Sequence, residues 1–412
     1  MILGLGPAAL SCAMELSKIG YSDVRFVSKD AMFGGKCVNF GCMPSEFVFS
    51  VAHLAADERV TALDEFIVGL RSDVKEQFTA LGMPVIQAEV QSIRGTFLQV
   101  ATGDPIAFDL LIVATGNRYT APHRVPLNTT KVVSIEDVWR LKAGNHLVIY
   151  AKDNPAALPI AEAAFALGLN VTLIMAGVSP FASLPSWKYL TRSAVRRGIE
   201  VLDQDVRLIR VDEQGISFER GSKISTIPYD HLLVASKPEP SLVEIDGHVP
   251  SALDVNLTTG AVPGRSNIYL VGDAAGFLTA AEAEEHSRLV TRWIALGSPV
   301  DIEALGDIPM SFHGPSPLAM VGKPWTWNVP AKRWIEIDFR QIGWTKVHGH
   351  EGKLWYLPGK MDGHVDAIHI CHPLANELIA IARHLLVRPI SDSAWRMATV
   401  HPSAAEIFKL VH

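Results

Sequence analysis

Short apolar runs alternate with amphipathic stretches along most of the chain, a pattern typical of parallel strands connected by helices. Two regions have the full strand–helix–strand order of a β-α-β unit. The first has an apolar stub at Met1–Leu3, a helical pattern over 8–19 that Gly20 ends, and an apolar run at Val24–Val27. The second has strands at His146–Tyr150 and Val171–Met175 around a helix over 156–167.

Further apolar runs predict more buried strands, and the pattern changes toward the C-terminus. The additional strands are expected at Leu110–Ala114, Leu232–Ala235 and Ile268–Val271. From about Glu303 the chain has short alternating segments such as Trp334–Asp338, followed by helical patterns at Ala375–Leu386 and Ser403–Leu410. This change indicates a separate α+β domain.

Composition narrows the class of protein. The length of 412 residues predicts two to four domains. Hydrophobic residues make up 48% of the chain and charged residues 19%, so a large core is expected and global disorder is excluded. The net charge of −6 argues against nucleic acid or an anionic membrane as the main partner. Cysteine is too rare, at four residues, for a disulfide-stapled secreted fold.

The most apolar stretch, Ala161–Val178, does not have the pattern of a membrane span. It is interrupted by Glu162, Gly168 and Asn170, which predicts a helix, a turn and a strand. The chain opens without a basic region before an apolar run, so no targeting segment is expected. We therefore expect a soluble, cytoplasmic protein.

The turn between the first strand and the first helix has the shape of a dinucleotide fingerprint. It reads Gly4-Leu5-Gly6-Pro7-Ala8-Ala9. Its glycines allow the backbone to approach a pyrophosphate, and the helix start offers free N–H groups and a positive dipole end. An acidic residue about 20 positions farther on would bind the ribose. Ser28 stands at the end of the second strand instead, with Asp30 as a nearby substitute.

Two of the four cysteines form a C-x4-C pair within a glycine-bounded segment. The segment reads Gly34-Gly35-Lys36-Cys37-Val38-Asn39-Phe40-Gly41-Cys42-Met43-Pro44-Ser45. A zinc site would need two more ligands at suitable spacing, and none is nearby. Two hypotheses remain: a pair of buried core cysteines, or a redox pair with Cα atoms within about 7 Å. The bounding glycines favour the redox pair, and a helix start would favour the thiolate.

This segment resembles the redox-active disulfide motif of the FAD-dependent pyridine nucleotide–disulfide oxidoreductases. That family includes dihydrolipoamide dehydrogenase, glutathione reductase and mercuric reductase, and the resemblance covers nearly the whole chain. Gly4-x-Gly6 is similar to the FAD pyrophosphate turn, Ala114-Thr115-Gly116 to the strand end that closes the first FAD segment, and Gly272-Asp273 to the second FAD segment. His401-Pro402-Ser403-Ala404-Ala405-Glu406 is similar to the C-terminal His-Pro…Glu element.

The resemblance implies an α/β fold with two Rossmann-like three-layer domains and a C-terminal α+β dimerisation domain. The expected segments are 1–118 and 246–302 for a split FAD-binding domain, 119–245 for an NAD(P)-binding-like domain and 303–412 for the interface domain. FAD is the expected cofactor, whereas NAD(P)H is doubtful. The expected FAD contacts are Gly4, Gly6, Pro7, Ala8, Ser28, Gly35, Lys36, Thr115, Gly116, Gly272 and Asp273.

The resemblance also implies catalytic roles. Cys42 would be the thiol next to the flavin, and Cys37 the thiol that meets the substrate. His401 would move the thiol proton, supported by Glu406, and in the family this pair reaches the cysteines of the other subunit, which implies a homodimer. Thiol–disulfide exchange needs a thiolate, and an imidazole that titrates near ambient pH can produce one. The alternative for His401 is an ordinary surface histidine. No spacing in the chain is specific for a metal, so no metal site is predicted.

Several positions depart from the family pattern. The lysine that usually follows Pro-Ser is Glu46, and the position of its glutamate partner falls on Pro159. The turn of the second β-α-β unit reads Ala151-Lys152-Asp153-Asn154-Pro155-Ala156-Ala157 where a Gly-x-Gly-x-x-Gly fingerprint is usual. Its second strand ends at Met175 without an acidic residue for NADH or an arginine for NADPH. Ala235-Ser236-Lys237 stands where the family usually has a glycine.

These departures indicate an enzyme with an intact dithiol centre and a weakened or lost nicotinamide site. Our hypothesis is a FAD-dependent oxidoreductase that oxidises a small-molecule or small-peptide dithiol and passes electrons to O₂ or another acceptor rather than to NAD(P). The Glu46 carboxylate beside the isoalloxazine would disfavour anionic reduced flavin by Coulomb repulsion. One alternative is an NAD(P)H-dependent disulfide reductase with unusual nucleotide contacts. Another is a non-redox or scaffold protein that keeps the fold.

Overall fold

The computed structural model describes residues 1–119, 127–177, 181–203, 206–250, 255–277, 279–297, 308–361, 363–396 and 399–412. The chain divides into two compact units, each built from segments that are distant in sequence. The first unit comprises 1–47, 57–120 and 238–305, and the second comprises 48–56, 121–237 and 306–412. The boundary expected between residues 302 and 303 lies outside the described residues, and the four-segment domain division stays a prediction.

Ten α-helices lie within the described ranges: α1 (Pro7–Ile19), α2 (Gly35–Asn39), α3 (Cys42–Ser50), α4 (Ala56–Ala80), α5 (Ile135–Val138), α6 (Ala157–Ala166), α7 (Pro185–Arg197), α8 (Ala280–Leu296), α9 (Gly343–His348) and α10 (Ala375–Leu386). Short 3₁₀ helices cover Gly272–Ala275, Pro324–Asn328, Ala331–Arg333, Phe339–Gln341, Ser393–Arg396 and Ala404–Leu410. Among the described residues, no helix is long and apolar enough to cross a membrane.

The strands of the first half of the chain are β1 (Ile2–Leu3), β2 (Phe26–Ser28), β3 (Val85–Gln87), β4 (Val90–Arg94), β5 (Phe97–Val100), β6 (Ile106–Ala107), β7 (Leu111–Val113), β8 (Asn117–Arg118), β9 (Leu127–Asn128), β10 (Val132–Val133), β11 (His146–Lys152), β12 (Asn170–Ala176) and β13 (Glu200–Asp203). Those of the second half are β14 (Val206–Asp212), β15 (Gly215–Arg220), β16 (Lys223–Ile227), β17 (His231–Val234), β18 (Glu239–Pro240), β19 (Glu244–Ile245), β20 (Ile268–Leu270), β21 (Met310–Phe312), β22 (Leu318–Gly322), β23 (Ile335–Asp338), β24 (Lys353–Pro358) and β25 (Val365–Cys371).

The first unit is built on a five-stranded parallel sheet in the order β20-β7-β1-β2-β3. Although β1 has only two residues, its Ile2 pairs in register with both Phe26 and Ile112, so the short strand lies at the centre of the sheet. Helix α1 packs its small-residue face against α8 and ends at Gly20, which adopts the left-handed conformation that favours glycine. A β19-β4-β5-β6 sheet and a β8–β18 ribbon complete the unit.

The second unit contains another parallel sheet, in the order β10-β17-β11-β12-β13, and a β16-β15-β14-β9 sheet. Helix α6 packs against β12, and every residue over 157–164 is buried, which explains its nearly continuous apolar sequence. The C-terminal part of the unit is an antiparallel sheet in the order β21-β22-β25-β24-β23, covered by the amphipathic α10.

Buried contacts join the parallel layer of the second unit to its C-terminal sheet. Ser186 at the start of α7 is hydrogen-bonded to Nδ1 of His369 on β25 at 2.8 Å, and both side chains are fully buried. The ring of Phe312 packs edge-to-face on Phe181 and Trp187. Aromatic pairs of this geometry stabilise a core beyond the area that they bury.

The predicted α/β class and both β-α-β units are confirmed, with two local corrections. Strand β2 begins at Phe26, since only Phe26–Ser28 pair with β3, and the predicted start at Val24 is therefore wrong. The helix predicted at Ser403–Leu410 is a 3₁₀ helix over Ala404–Leu410. Its N–H groups bond three residues back, as between Glu406 and the Ser403 carbonyl at 3.2 Å.

Candidate functional site

The glycine-rich turn after β1 forms a cradle for an extended anionic ligand. Gly4 has φ +121°, and a Cβ there would overlap the carbonyl oxygen of Ala114. The backbones of Gly6 and Gly35 approach so closely that a Cβ on Gly35 would lie 3.0 Å from the Gly6 Cα. Helix α1 follows directly, and its N-cap residue Gly6 provides no side-chain cap. A glycine cradle beside an uncapped helix start fits the pyrophosphate of a dinucleotide.

The parallel sheet of the first unit brings the other expected FAD contacts to the same edge. Ser28 is the last residue of β2, Thr115 and Gly116 follow β7, and Asp273 follows β20. In sheets of this type, ligands bind outside the carboxyl ends of the strands. The expected cofactor residues therefore lie where a dinucleotide would bind, and they fit FAD.

Asp273 is fixed by a residue that the sequence did not single out. The side-chain amide of Asn117 donates to Asp273 Oδ2 at 2.7 Å, while the Lys36 ammonium donates to the Asn117 backbone carbonyl and lies 3.3 Å from its Oδ1. Burial raises the pKa of Asp273 to about 7, and the nearby Lys36 charge opposes that increase. Asn117 directly follows the Ala114-Thr115-Gly116 element, the only signal in the sequence that could have identified it.

Cys37 and Cys42 are brought together by two consecutive short helices. Cys37 lies in α2 and Cys42 is the first residue of α3; both are half-buried free thiols. The hydrogen bond between the two side chains, followed by burial, raises the pKa of Cys37. The tight connection needs glycine, because a Cβ on Gly41 would lie 3.2 Å from the Lys36 carbonyl oxygen. The two thiols therefore lie within hydrogen-bonding reach of each other.

Asn39, which lies between the two cysteines in sequence, holds the cysteine segment by hydrogen bonds. Its buried amide donates to the carbonyl oxygens of Phe33 at 3.0 Å and Gly35 at 2.7 Å. Its Oδ1 accepts from Arg71 Nε at 2.7 Å. The pair that could cycle between dithiol and disulfide is therefore supported by a rigid backbone. Glu46 lies one turn farther along α3 and is exposed.

The other two cysteines are buried far from any such arrangement. Cys12 lies on α1 and donates to the Ser287 carbonyl oxygen at 3.7 Å, and Cys371 ends β25. Burial raises the pKa of Cys12 to about 11 and that of Cys371 to about 12. Both remain protonated near neutral pH and pack as small apolar side chains.

At the start of α6, where the second β-α-β unit would bind a nucleotide, the backbone N–H groups are bonded within the chain itself. Asn154 is buried; its amide donates to the Ala235 carbonyl at 2.9 Å, and its Oδ1 accepts from the Ala156 N–H at 3.1 Å. The N–H groups of Ala157 and Leu158 donate to the backbone carbonyls three residues earlier, at 3.3 and 3.2 Å. Position 155 is proline and has no N–H to offer. The donors that would bind a pyrophosphate are therefore already used.

Charge and space at this strand edge also disfavour a nucleotide. Asp153 has φ +54°, a backbone conformation that is uncommon outside glycine. Its carboxylate packs against Gly177, directly after β12, where it fills the space that a Cβ would occupy. The cavity bounded here by described residues has a volume of about 40 Å³. Pockets for nucleotide-sized ligands are typically several hundred Å³. The residues present do not fit NAD(P)H.

His401 and Glu406 form a pair in the second unit. The imidazole Nδ1 donates to Glu406 Oε1 at 3.1 Å, and Glu406 Oε2 accepts from the Ser403 N–H at 3.3 Å. The hydrogen bond from His401 lowers the pKa of Glu406. The His401 side chain is 79% exposed, so its other ring nitrogen faces outward. The two cysteines belong to the first unit, and the histidine–glutamate pair belongs to the second.

Comparison with known proteins identifies the family of the chain. The family model described as pyridine nucleotide-disulphide oxidoreductase matches residues 1–290. A mercuric reductase of Shewanella putrefaciens is 26% identical, over 57% of this chain and 46% of that protein, so the match spans less than half of the relative's length. Dihydrolipoyl dehydrogenase 2 of Haloarcula marismortui is 22% identical, over 78% of this chain and 75% of that protein.

The solved structures provide an independent comparison of the fold. The HOCl-induced flavoprotein disulfide reductase RclA from Escherichia coli superposes with a TM-score of 0.84 at 19% identity, covering 100% of this chain and 99% of that one. LpdA from Mycobacterium tuberculosis gives a TM-score of 0.78 at 19% identity, covering 98% and 96% of the two chains. At these identities the likeness establishes the fold.

Proposed function

Because the chain belongs to the pyridine nucleotide-disulphide oxidoreductase family of FAD-binding flavoproteins, we propose that it is a dithiol oxidase that has dispensed with its pyridine nucleotide. The substrate is a small molecule or small peptide that carries two thiols. It is oxidised to a disulfide, and the two electrons and two protons pass to O₂, giving H₂O₂, or to another acceptor.

In this proposal the glycine-rich turn after β1, at the carboxyl ends of the parallel strands of the first unit, would bind FAD. The flavin would supply a two-electron acceptor. The glycines would leave room for its pyrophosphate and the start of α1 would face its negative charge, while Asn117 holds the Asp273 carboxylate in place. The residues assigned to the cofactor are Gly4, Gly6, Pro7, Ala8, Ser28, Gly35, Lys36, Thr115, Gly116, Gly272 and Asp273.

The cysteine pair carries out the exchange with the substrate. Starting from the Cys37–Cys42 disulfide, a substrate thiolate attacks Cys37 and displaces Cys42 as a thiolate. The second substrate thiol then attacks the mixed disulfide, which releases Cys37 and leaves the substrate as a disulfide. Cys37 is assigned to this exchange from the family motif, and its sulfur takes up a proton after it leaves. His401 supplies or removes that proton, oriented by Glu406.

The observation that carries the proposed loss of NAD(P)H is that the N–H groups at the start of α6 are already bonded within the chain. A bound nucleotide would have to break the bonds of Asn154 to Ala235 and Ala156 and would meet the negative charge of Asp153. Breaking buried hydrogen bonds without replacement costs about 1–3 kcal/mol for each group left unpaired. Electron transfer with NAD(P)H is thereby disfavoured at the binding step.

An anaerobic titration tests the proposal. Purified holoprotein is mixed with NADH, with NADPH and with dithiothreitol, and loss of the oxidised-flavin absorbance is followed. We expect reduction by dithiothreitol alone, in the wild type and in a Cys12→Ser control, and none in Cys42→Ser. Reduction by either nucleotide at the speed of turnover would overturn the proposal in favour of an NAD(P)H-dependent reductase. Reduction by none of the three would indicate a non-redox protein.

We further propose a homodimer in which His401 serves the cysteines of the partner. Inactive Cys42→Ser and His401→Gln proteins can be mixed, unfolded together and refolded. If the site is shared, each hybrid dimer has one site with Cys42 and His401 intact, and activity returns. If each subunit carries a complete site, every site in the hybrid lacks one residue, and the mixture stays inactive.

A further inference from the structure

Helix α8 carries a buried histidine directly beneath the Gly272–Asp273 element. His286 is fully buried and lies 14 positions after Gly272 in the sequence. Its Nδ1 accepts from the Gly272 N–H at 3.2 Å, and its Nε2 lies 3.0 Å from the Leu257 carbonyl oxygen. A carbonyl only accepts, so the ring must be the neutral form with the proton on Nε2. Burial lowers the pKa of His286 to about 4, consistent with a neutral ring.

The group that His286 contacts is the backbone turn that presents Asp273. Gly272 has φ +60°, and a Cβ there would lie 2.9 Å from Ala8 Cβ and 3.0 Å from Ala283 Cβ. The turn is therefore wedged between α1 and α8, which fixes its depth. The bond from the Gly272 N–H to His286 restrains the peptide plane between Val271 and Gly272, directly before Asp273.

The turn is completed by contacts on its far side. The Gly276 and Phe277 N–H groups donate to the carbonyls of Asp273 at 3.1 Å and Gly272 at 3.4 Å. The Phe277 ring packs against the His286 ring, with centroids 4.5 Å apart. The imidazole thus contacts both ends of the turn, through its hydrogen bond with Gly272 and its ring packing against Phe277.

We propose that His286 is a positioning residue of the FAD site: by accepting the Gly272 N–H, it orients Asp273 toward the cofactor. The inference rests on the proposed assignment of Asp273 to FAD. It requires the Nδ1 position specifically, since Nε2 serves only the Leu257 carbonyl. The two ring nitrogens can therefore be tested separately with two amides of different length.

Asparagine and glutamine each reproduce one side of the imidazole. Asn places an acceptor oxygen where Nδ1 stands, two bonds from Cβ, whereas Gln places a donor nitrogen at the reach of Nε2. The affinity for FAD is measured by fluorescence of the apoprotein titrated with FAD, and the free energy of unfolding of each apoprotein by urea denaturation. Thr291→Val is the matched control, since Thr291 is equally buried on α8 and donates to the Ser287 carbonyl.

We expect His286→Gln to raise the dissociation constant for FAD about tenfold, and His286→Asn and Thr291→Val to change it less than about threefold. Equal losses for the two amides, or no loss for either, would overturn the inference. If His286→Gln does not fold, hydrogen exchange at Gly272 decides: protection must persist in His286→Asn and fall in His286→Leu. A wild-type chain that does not bind FAD would instead refute the cofactor assignment, and so the two failures are distinguishable.

Discussion

Asn154 and Ala235 are 81 positions apart in sequence, yet the asparagine amide donates to the alanine carbonyl at 2.9 Å inside the second unit. This bond joins the turn after β11 to the end of β17, across the edge where a nucleotide would enter. The Oδ1 of the same side chain accepts from the N–H of Ala156, directly before α6. Asn154 therefore bonds both to the carbonyl after β17 and to the N–H directly before α6.

Removing this side chain should destabilise the chain without restoring a nucleotide site. We expect Asn154→Gly to lower the free energy of unfolding by about 1–3 kcal/mol, because the buried Ala235 carbonyl loses its donor. Urea denaturation measures the change, and NADH fluorescence tests binding. Asn170→Ala, which removes an exposed amide bonded to the Gly144 carbonyl, should cost less than about 1 kcal/mol. Strong NADH binding by Asn154→Gly alone would contradict the role assigned to Pro155 and Asp153.

Two glycines with left-handed backbones should differ in their tolerance of a methyl group. Gly20 has φ +96° and open space around it, so Gly20→Ala should cost about 1 kcal/mol from backbone strain alone. Gly4→Ala should cost at least about 3 kcal/mol and release FAD, because its Cβ would overlap the Ala114 carbonyl. Thermal unfolding and flavin fluorescence report the two effects. Similar losses for both variants would show that the close approach at Gly4 is unimportant.

The thiol reactivity of Cys37 should increase when its partner is removed. The hydrogen bond with Cys42 is the main cause of the raised Cys37 pKa, so Cys42→Ala should lower that pKa and shift thiolate formation to lower pH. Iodoacetamide labelling of the reduced protein across pH 7–10, read by mass spectrometry, measures the shift. Cys12 and Cys371 serve as internal controls, since they should react only after unfolding. An unchanged labelling profile would argue against the hydrogen bond.

The buried histidine of β25 predicts a pH dependence of stability. Burial lowers the pKa of His369 from its ordinary value of 6.5 to about 3. The unfolded chain therefore takes up a proton near pH 6.5, while the folded chain resists it until about pH 3. The contribution of His369 to stability is complete above pH 6.5 and falls with decreasing pH, by at most about 1.4 kcal/mol per pH unit. His369→Asn should flatten this acid limb in urea denaturation and leave an acceptor for Ser186.

The carboxylate beside His401 should matter for turnover more than for folding. Glu406→Ala leaves the imidazole without its 3.1 Å partner, and we expect dithiothreitol oxidation to slow about tenfold. Lys409→Ala removes the ammonium 3.5 Å from the same carboxylate and should change the rate less than about twofold. Stopped-flow reduction of the flavin measures both. Full activity of Glu406→Ala would remove His401–Glu406 from the proposed mechanism.

The features that could be predicted from the sequence are those determined by residues close together along the chain. Both β-α-β units were predictable because apolar runs and helical periods determine parallel layers, and the cysteine segment because its glycines and spacing are specific. The side chains that complete the two sites could not be predicted in this way. Asn117 bonds to Asp273 and Asn154 to Ala235 only after distant strands pair, and an isolated asparagine gives no signal of that partner. The 3₁₀ geometry of Ala404–Leu410 depends likewise on packing that helical periodicity does not encode.

The Ser186–His369 bond and the aromatic contacts of Phe312 have an evolutionary consequence. In the proposed function this layer has lost its nucleotide, and a layer without a ligand would ordinarily be free to shrink or disappear from the gene. Here the same layer supports the C-terminal sheet from within, so selection for a folded protein must preserve it. Sequence drift among descendants should therefore concentrate in the turn over 151–156, while the inner faces of α7 and β25 change slowly.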